Sequence, residues 1–162
     1  MTTTSVFGKQ FYGVSSLILW GLAAVIAACQ VGTEPTEVQE IFQRHTGISI
    51  QCTAIPHYGS TDNLAGRVSG VAPQSHYVAV YIFVDGAGWW IKPYFASPHS
   101  SIQPDGSWSC DITTGGDDVH ATRVQAFLLP DSVEAPLIGG QSYLPIILDS
   151  LSLARALVTR TP

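Results

Sequence analysis

Charge is scarce in this chain: Asp, Glu, Lys and Arg make up only 12% of its 162 residues, with seven bases against 12 acids. With 46% hydrophobic residues, so low a charge density excludes an intrinsically disordered polymer. All the acids and all but one of the bases follow Cys29. The portion after that cysteine therefore carries about −6, a surface that repels nucleic acid and anionic headgroups, so no nucleic-acid partner is expected. Catalytic signatures are missing too. There is no Gly-x-Ser-x-Gly elbow, no His-Glu-x-x-His, no Cys-x-x-Cys, no Gly-Lys-Ser/Thr phosphate loop and no dinucleotide fingerprint. The five histidines (45, 57, 76, 99 and 120) are scattered, mostly beside turns. Neither an enzyme nor a cofactor is expected.

What the chain does have is an apolar beginning. A lone Lys9 precedes an uncharged run over 11–28 that closes on Ile26-Ala27-Ala28-Cys29. That order resembles a lipoprotein-type export signal, in which the cysteine is lipidated and starts the mature chain, so Cys29 is the expected lipidation site. Residues 11–31, at roughly 20 residues, are also long enough to cross a bilayer uncleaved as a hydrophobic helix. Either way residues 1–31 tether the chain to a membrane, with the remainder facing the periplasm or the cell exterior. In such an oxidising compartment Cys52 and Cys110 are free to pair, with two buried reduced thiols as the alternative.

Beyond the anchor there is room for one domain of roughly 130 residues. Residues 32–47 carry the local marks of a short spacer helix. Thr33 or Thr36 serves as N-cap, Pro35 lies in the first turn, acids at 34, 37 and 40 sit near the positive end, Arg44 and His45 near the negative end, and Gly47 stops it. From residue 48 to 162 the period changes to two. Ile48, Ile50, Cys52 and Ala54 alternate with polar residues, and comparable runs follow at 64–71, 77–84, 89–94, 107–112, 122–129 and 154–160. Turn signals separate them, among them Asp85-Gly86-Ala87-Gly88 and Gln103-Pro104-Asp105-Gly106. The expected fold is mainly β: a single immunoglobulin-like antiparallel sandwich of about seven strands, preceded by the hydrophobic helix and the spacer helix. Residues 77–84, with no polar group beyond tyrosine hydroxyls, form its central strand. Residues 142–157 are expected to be a loop with one helical turn before the last strand.

Two clusters carry the functional expectations. In Trp89-Trp90-Ile91-Lys92-Pro93-Tyr94-Phe95, alternation puts Trp89, Ile91 and Pro93 on one face and Trp90, Lys92 and Tyr94 on the other. The lysine charge belongs in water, which makes Trp90, Lys92 and Tyr94 the exposed binding set. The acidic loop 111–120 offers Asp117 and Asp118 as weak ligands for a hard cation such as calcium, although its spacing fits no metal-loop signature, and no metal is expected.

The segments Tyr-Val-Ala-Val-Tyr-Ile, Trp-Trp-Ile-Lys-Pro, Asp-Gly-Ser-Trp, Asp-Ile-Thr-Thr-Gly-Gly and Ala-Thr-Arg-Val-Gln-Ala-Phe-Leu-Leu-Pro, all within 77–130, resemble a β-sandwich module of bacterial secreted and cell-surface proteins, sometimes found beside carbohydrate-active domains. The resemblance implies an extracellular accessory module rather than a catalyst; the exposed Trp90 and Tyr94 face adds the expectation of a glycan or another surface ligand. The competing expectation is an accessory structural subunit of a membrane protein complex.

Overall fold

The computed structural model of the protein describes residues 37–45 and 47–162. The apolar anchor, Cys29 and the expected caps of the spacer helix lie outside the described residues. Within them the chain is mainly β and forms two antiparallel sheets. The elements in chain order are β1 (Glu37–Gln43), β2 (Ser49–Ala54), β3 (Leu64–Ser69), β4 (His76–Val84), β5 (Gly88–Lys92), β6 (Ser100–Ser101), β7 (Ser107–Cys110), β8 (Ala121–Pro130), β9 (Gly139–Gln141), α1 (Ile147–Leu151) and β10 (Ala154–Arg160). The larger sheet runs β1-β10-β8-β4-β5-β9, with β6 also on β4; the smaller is β2-β3-β7. All seven expected strands are present. Three more bring the number among the described residues to ten.

The central strand explains its own composition. Val78, Val80, Ile82 and Val84 on one face of β4 meet Ile50, Leu64, Val68 and Trp108 of the smaller sheet in a shared core. Tyr77, Ala79 and Tyr81 on its other face pack with Trp89, Ile91 and Phe127 under Ala135, Ile138 and Leu148. Both faces are dry, so alternation with polar residues disappears. The cover over the second face is pinned by two tyrosines: Tyr77 Oη donates to Val133 O at 2.8 Å and Tyr81 Oη to Pro136 O at 3.0 Å. Burial raises both phenol pKa values. Helix α1 is the helical turn expected within 142–157, and its Leu148 is the buried residue that closes this layer.

The spacer helix is corrected at residues 37–43, which form strand β1 and pair along their whole length with β10, from Glu37↔Arg160 to Gln43↔Ala154. Helix caps and charge placement are local terms worth tenths of a kcal/mol to about 1 kcal/mol each, and a full antiparallel ladder outweighs them. Gln39 adds a second reason. Its side-chain amide donates Nε2 to Cys52 O at 3.2 Å and accepts the Cys52 N–H at Oε1, so it does for the outer edge of β2 what another strand would do.

Of the two alternatives for the cysteines, the fold has the reduced pair. Cys52 and Cys110 are buried free thiols. Cys52 pairs with Gly66 and Cys110 with Leu64 on opposite sides of β3. Two strand spacings amount to roughly 9–10 Å, beyond the reach of a disulfide. Burial pushes the Cys52 thiol up to about 12 and that of Cys110 to about 11. Both are therefore inert protonated thiols near neutral pH.

At the end of β10 the fully buried Arg160 acts as a polar staple. Its guanidinium donates from Nε to Ala121 O at 2.9 Å and from one terminal nitrogen to Pro56 O at 3.3 Å. Desolvation lowers its pKa.

Candidate functional site: an aromatic pocket over a buried ion pair

Register decides where the tryptophans point. Strand β5 pairs with β4 so that Trp90 faces Ile82 and Lys92 faces Val80, while Trp89 faces Phe83 and Ile91 faces Tyr81. Trp90 and Lys92 thus lie on the side of the larger sheet that looks toward the smaller one. Trp89 and Ile91 lie on the opposite side, under the 131–151 cover. The expected parity holds and Trp89 is buried, but its core is the outer one rather than the space between the sheets.

The exposure of Lys92 is the site's main correction. Its side chain is buried, and Nζ forms an ion pair with Asp118 Oδ2 and a 3.2 Å hydrogen bond to Thr114 Oγ1. Sequence alternation treats the lysine as a lone charge, which belongs in water. A buried lysine is stable only with a partner, and here the partner sits 26 positions away in the chain.

That partner is delivered by the acidic loop. Asp111 Oδ1 accepts the Thr113 N–H at 2.9 Å and so shapes the start of the turn. Gly116 takes the left-handed conformation, φ +57°, that turns the chain back. Asp118 Oδ2 accepts the Gly115 N–H at 2.8 Å, and Thr114 Oγ1 donates to Pro93 O at 2.6 Å. The loop is thereby strapped to the end of β5, where the Lys92–Pro93 peptide is cis.

Between strand and loop lies a cavity of about 400 Å³, lined by Trp90, Tyr94 and Phe95 on one side and by 114–118 on the other. Trp90 is half-buried, and its indole N–H donates to Ala87 O at 3.1 Å. Phe95 stands against it edge to face, with centroids 6.5 Å apart and planes at 78°. Glycine makes room for this pair: a Cβ on Gly139 of β9 would come within 2.7 Å of Phe95 Cζ and 3.1 Å of Trp90 Cζ3. Tyr94 is 55% exposed and Phe95 48%. They open the cavity to solvent.

All five residues singled out in the two sequence clusters line this cavity, in the roles that folding gives them. Trp90 and Tyr94 supply aromatic wall, Lys92 and Asp118 a neutralised floor, and Asp117 a carboxylate at the rim that accepts His120 Nδ1. Asp117 and Asp118 do not converge as a calcium site, because Asp118 is committed to Lys92. Among the described residues no group of three or more His, Cys, Asp or Glu side chains is placed to hold a metal. Phe95 and Thr114 were missed as site residues. The signal for Phe95 was its place one turn beyond an aromatic strand, and for Thr114 its place in a Thr-Thr-Gly-Gly turn, where a hydroxyl is well placed to bond backbone.

Comparison with protein-family models, with curated protein sequences and with solved structures finds no match to this chain.

Proposed function

We propose that this protein is a non-catalytic, membrane-tethered binding module, held outside the cytoplasm by its N-terminal segment, that takes a glycan or another surface ligand in the pocket between β5 and the 113–118 loop. The two sheets are read as an immunoglobulin-like sandwich that serves as scaffold. Cys29 is the proposed lipid attachment point, on the strength of the Ile-Ala-Ala-Cys sequence; an uncleaved span over 11–31 gives the same tether.

The observation that supports binding is the preformed aromatic wall. Trp90 is held by its N–H bond and by Phe95 rather than by a ligand. A concave, mostly apolar site with fixed aromatic rings is the usual form of a small-ligand pocket, and the neutralised Lys92–Asp118 floor lacks the free nucleophile and base that catalysis needs. Trp90→Ala in the full-length protein, assayed on a glycan array and on cell-surface preparations, is expected to remove binding that the native protein shows. Equal binding by both would refute the pocket as the site.

A second reading, an accessory subunit of a membrane complex, draws on a different surface. Tyr143 and Ile146 are 84% and 85% exposed, and Leu137 and Ile147 are half exposed. Large apolar side chains so open are common where a partner covers them. Co-purification of a stoichiometric partner in mild detergent, lost on Tyr143→Ser with Ile146→Ser, would favour this reading.

A further inference from the structure

We infer that the ligand group received by the β5 pocket is an organic cation, an alkylammonium borne on a surface component. The inference rests on the reading of that pocket as a binding site and specifies its chemistry. A hydroxylated ring bound by direct contact must exchange its water hydrogen bonds for protein ones, so it needs free donors and acceptors in the wall. Apart from the hydroxyl of the exposed Tyr94, a single group that cannot replace the several bonds a sugar gives up, the side-chain donors around this cavity are already engaged. Lys92 Nζ is held by Asp118 and Thr114, the Thr114 hydroxyl by Pro93 O, the Trp90 N–H by Ala87 O and the Gly115 N–H by Asp118.

What remains turned to the cavity is aromatic surface, the Tyr94 hydroxyl and one carboxylate. The lysine charge is cancelled by Asp118, so the floor presents no net positive charge to repel a cation. Asp117 at the rim accepts a hydrogen bond from His120 Nδ1; a carboxylate is an acceptor only and is the one acidic group at the cavity mouth that is not paired with Lys92. Charge complementarity therefore favours a cation. An alkylammonium also needs no donors: its charge is spread over C–H groups, which are drawn to the negative faces of aromatic rings.

Ring geometry points the same way. Trp90 and Phe95, at 78° to one another, form a corner rather than a flat shelf. A sugar stacks best on an open flat ring, whereas a rounded cation fills a corner and touches both walls. Gly139 keeps that corner in place, since any side chain there would displace Phe95.

The test titrates the full-length protein in detergent micelles with tetramethylammonium, with choline and with the uncharged choline isostere 3,3-dimethylbutan-1-ol, at constant ionic strength. Binding is read by saturation-transfer NMR of the ligand methyl groups. Both cations are expected to bind at least about tenfold more tightly than the isostere. Asp117→Asn should weaken the cations about fivefold and leave the isostere unchanged, and Trp90→Ala should remove cation binding while the native far-ultraviolet circular dichroism is kept. Equal affinity for isostere and cation, or no effect of Asp117→Asn, overturns the inference. Trp90-dependent binding of neutral oligosaccharides with none of the cations overturns it as well, yet leaves the binding reading standing. Silence of both the cations and the glycan array defeats the two together.

Discussion

Replacing Lys92 by Met tests the core of the site. Methionine keeps the apolar stem of the lysine side chain but removes the ammonium. Asp118, only 7% exposed, then keeps the Gly115 N–H as its hydrogen-bond partner. Removing one member of a buried ion pair costs about 3–5 kcal/mol, because the other charge stays desolvated and unpaired. The Thr114 hydroxyl still donates to Pro93 O, so the loop retains one of its straps. Asp118→Leu should cost a similar amount by stranding the ammonium, plus about 1 kcal/mol for the lost Gly115 bond. In the double variant both charges are gone and an apolar contact replaces them, which is often close to neutral. Its cost should fall to about 1–2 kcal/mol, the Gly115 bond accounting for most of it, and the coupling should be several kcal/mol. Urea denaturation of the three variants and the native protein, followed by tryptophan fluorescence, measures this cycle. A cost below about 1 kcal/mol for Lys92→Met, or strictly additive single variants, would show that the lysine is solvated and that the floor of the pocket has been misread.

Trp89→Ala should cost about 3–5 kcal/mol and the half-buried Trp90→Ala about half as much, in the same melts; the reverse order would invert the faces of β5. Gly66→Ala should destabilise by more than an ordinary overpacking change of about 1–3 kcal/mol, because its Cβ would lie 2.1 Å from Gln51 O and 2.5 Å from the Trp108 ring. A silent variant would mean that β2 and β7 are spaced differently around β3. The two thiols are protonated in the fold up to about 11 and about 12 but ionise near 9.0 when unfolded. Their stabilising contribution is thus complete below pH 9 and lost as pH rises through the folded values. Native alkylation at pH 8 should modify neither Cys52 nor Cys110, and denatured alkylation both; a disulfide would block the second result. Intact mass should show residues 1–28 removed and acyl chains on Cys29, and Cys29→Ser should stop that processing; a full-length unmodified chain would leave the uncleaved span.

Strands with period-two patterning were legible because each residue's neighbours in sequence report its burial: β2, β4, β8 and β10 fall within a residue or two of expectation. β1 was not legible. Every local signal over 33–47 favours a helix, and the deciding term, the ladder to β10, lies more than a hundred residues away. β9 was hidden for another reason: Gly139-Gly140-Gln141 has little strand propensity and is ordered by the backbone of β5. At the site the residue types were legible and their joining was not. The aromatic strand and the acidic loop were each singled out, but nothing local says that Asp118 travels to Lys92.

The error over Lys92 has a physical cause that extends to the whole site. Alternation tells which residues share a face; it does not tell which face is wet, and on β4, as at Lys92 of β5, neither is. The 131–151 segment covers one side. On the other the smaller sheet is only three strands wide against a path of six in the larger, and its β2 lies against β1 and β10 at the far end of that path, which leaves β5 overhanging. A loop rather than a strand closes the overhang, and a loop closes it incompletely. The same mismatch in width that forces Lys92 to find a partner in 111–120 leaves the cavity between Trp90 and that loop. A wider smaller sheet would have filled the space with ordinary core, and the aromatic wall would have had nothing to face but protein.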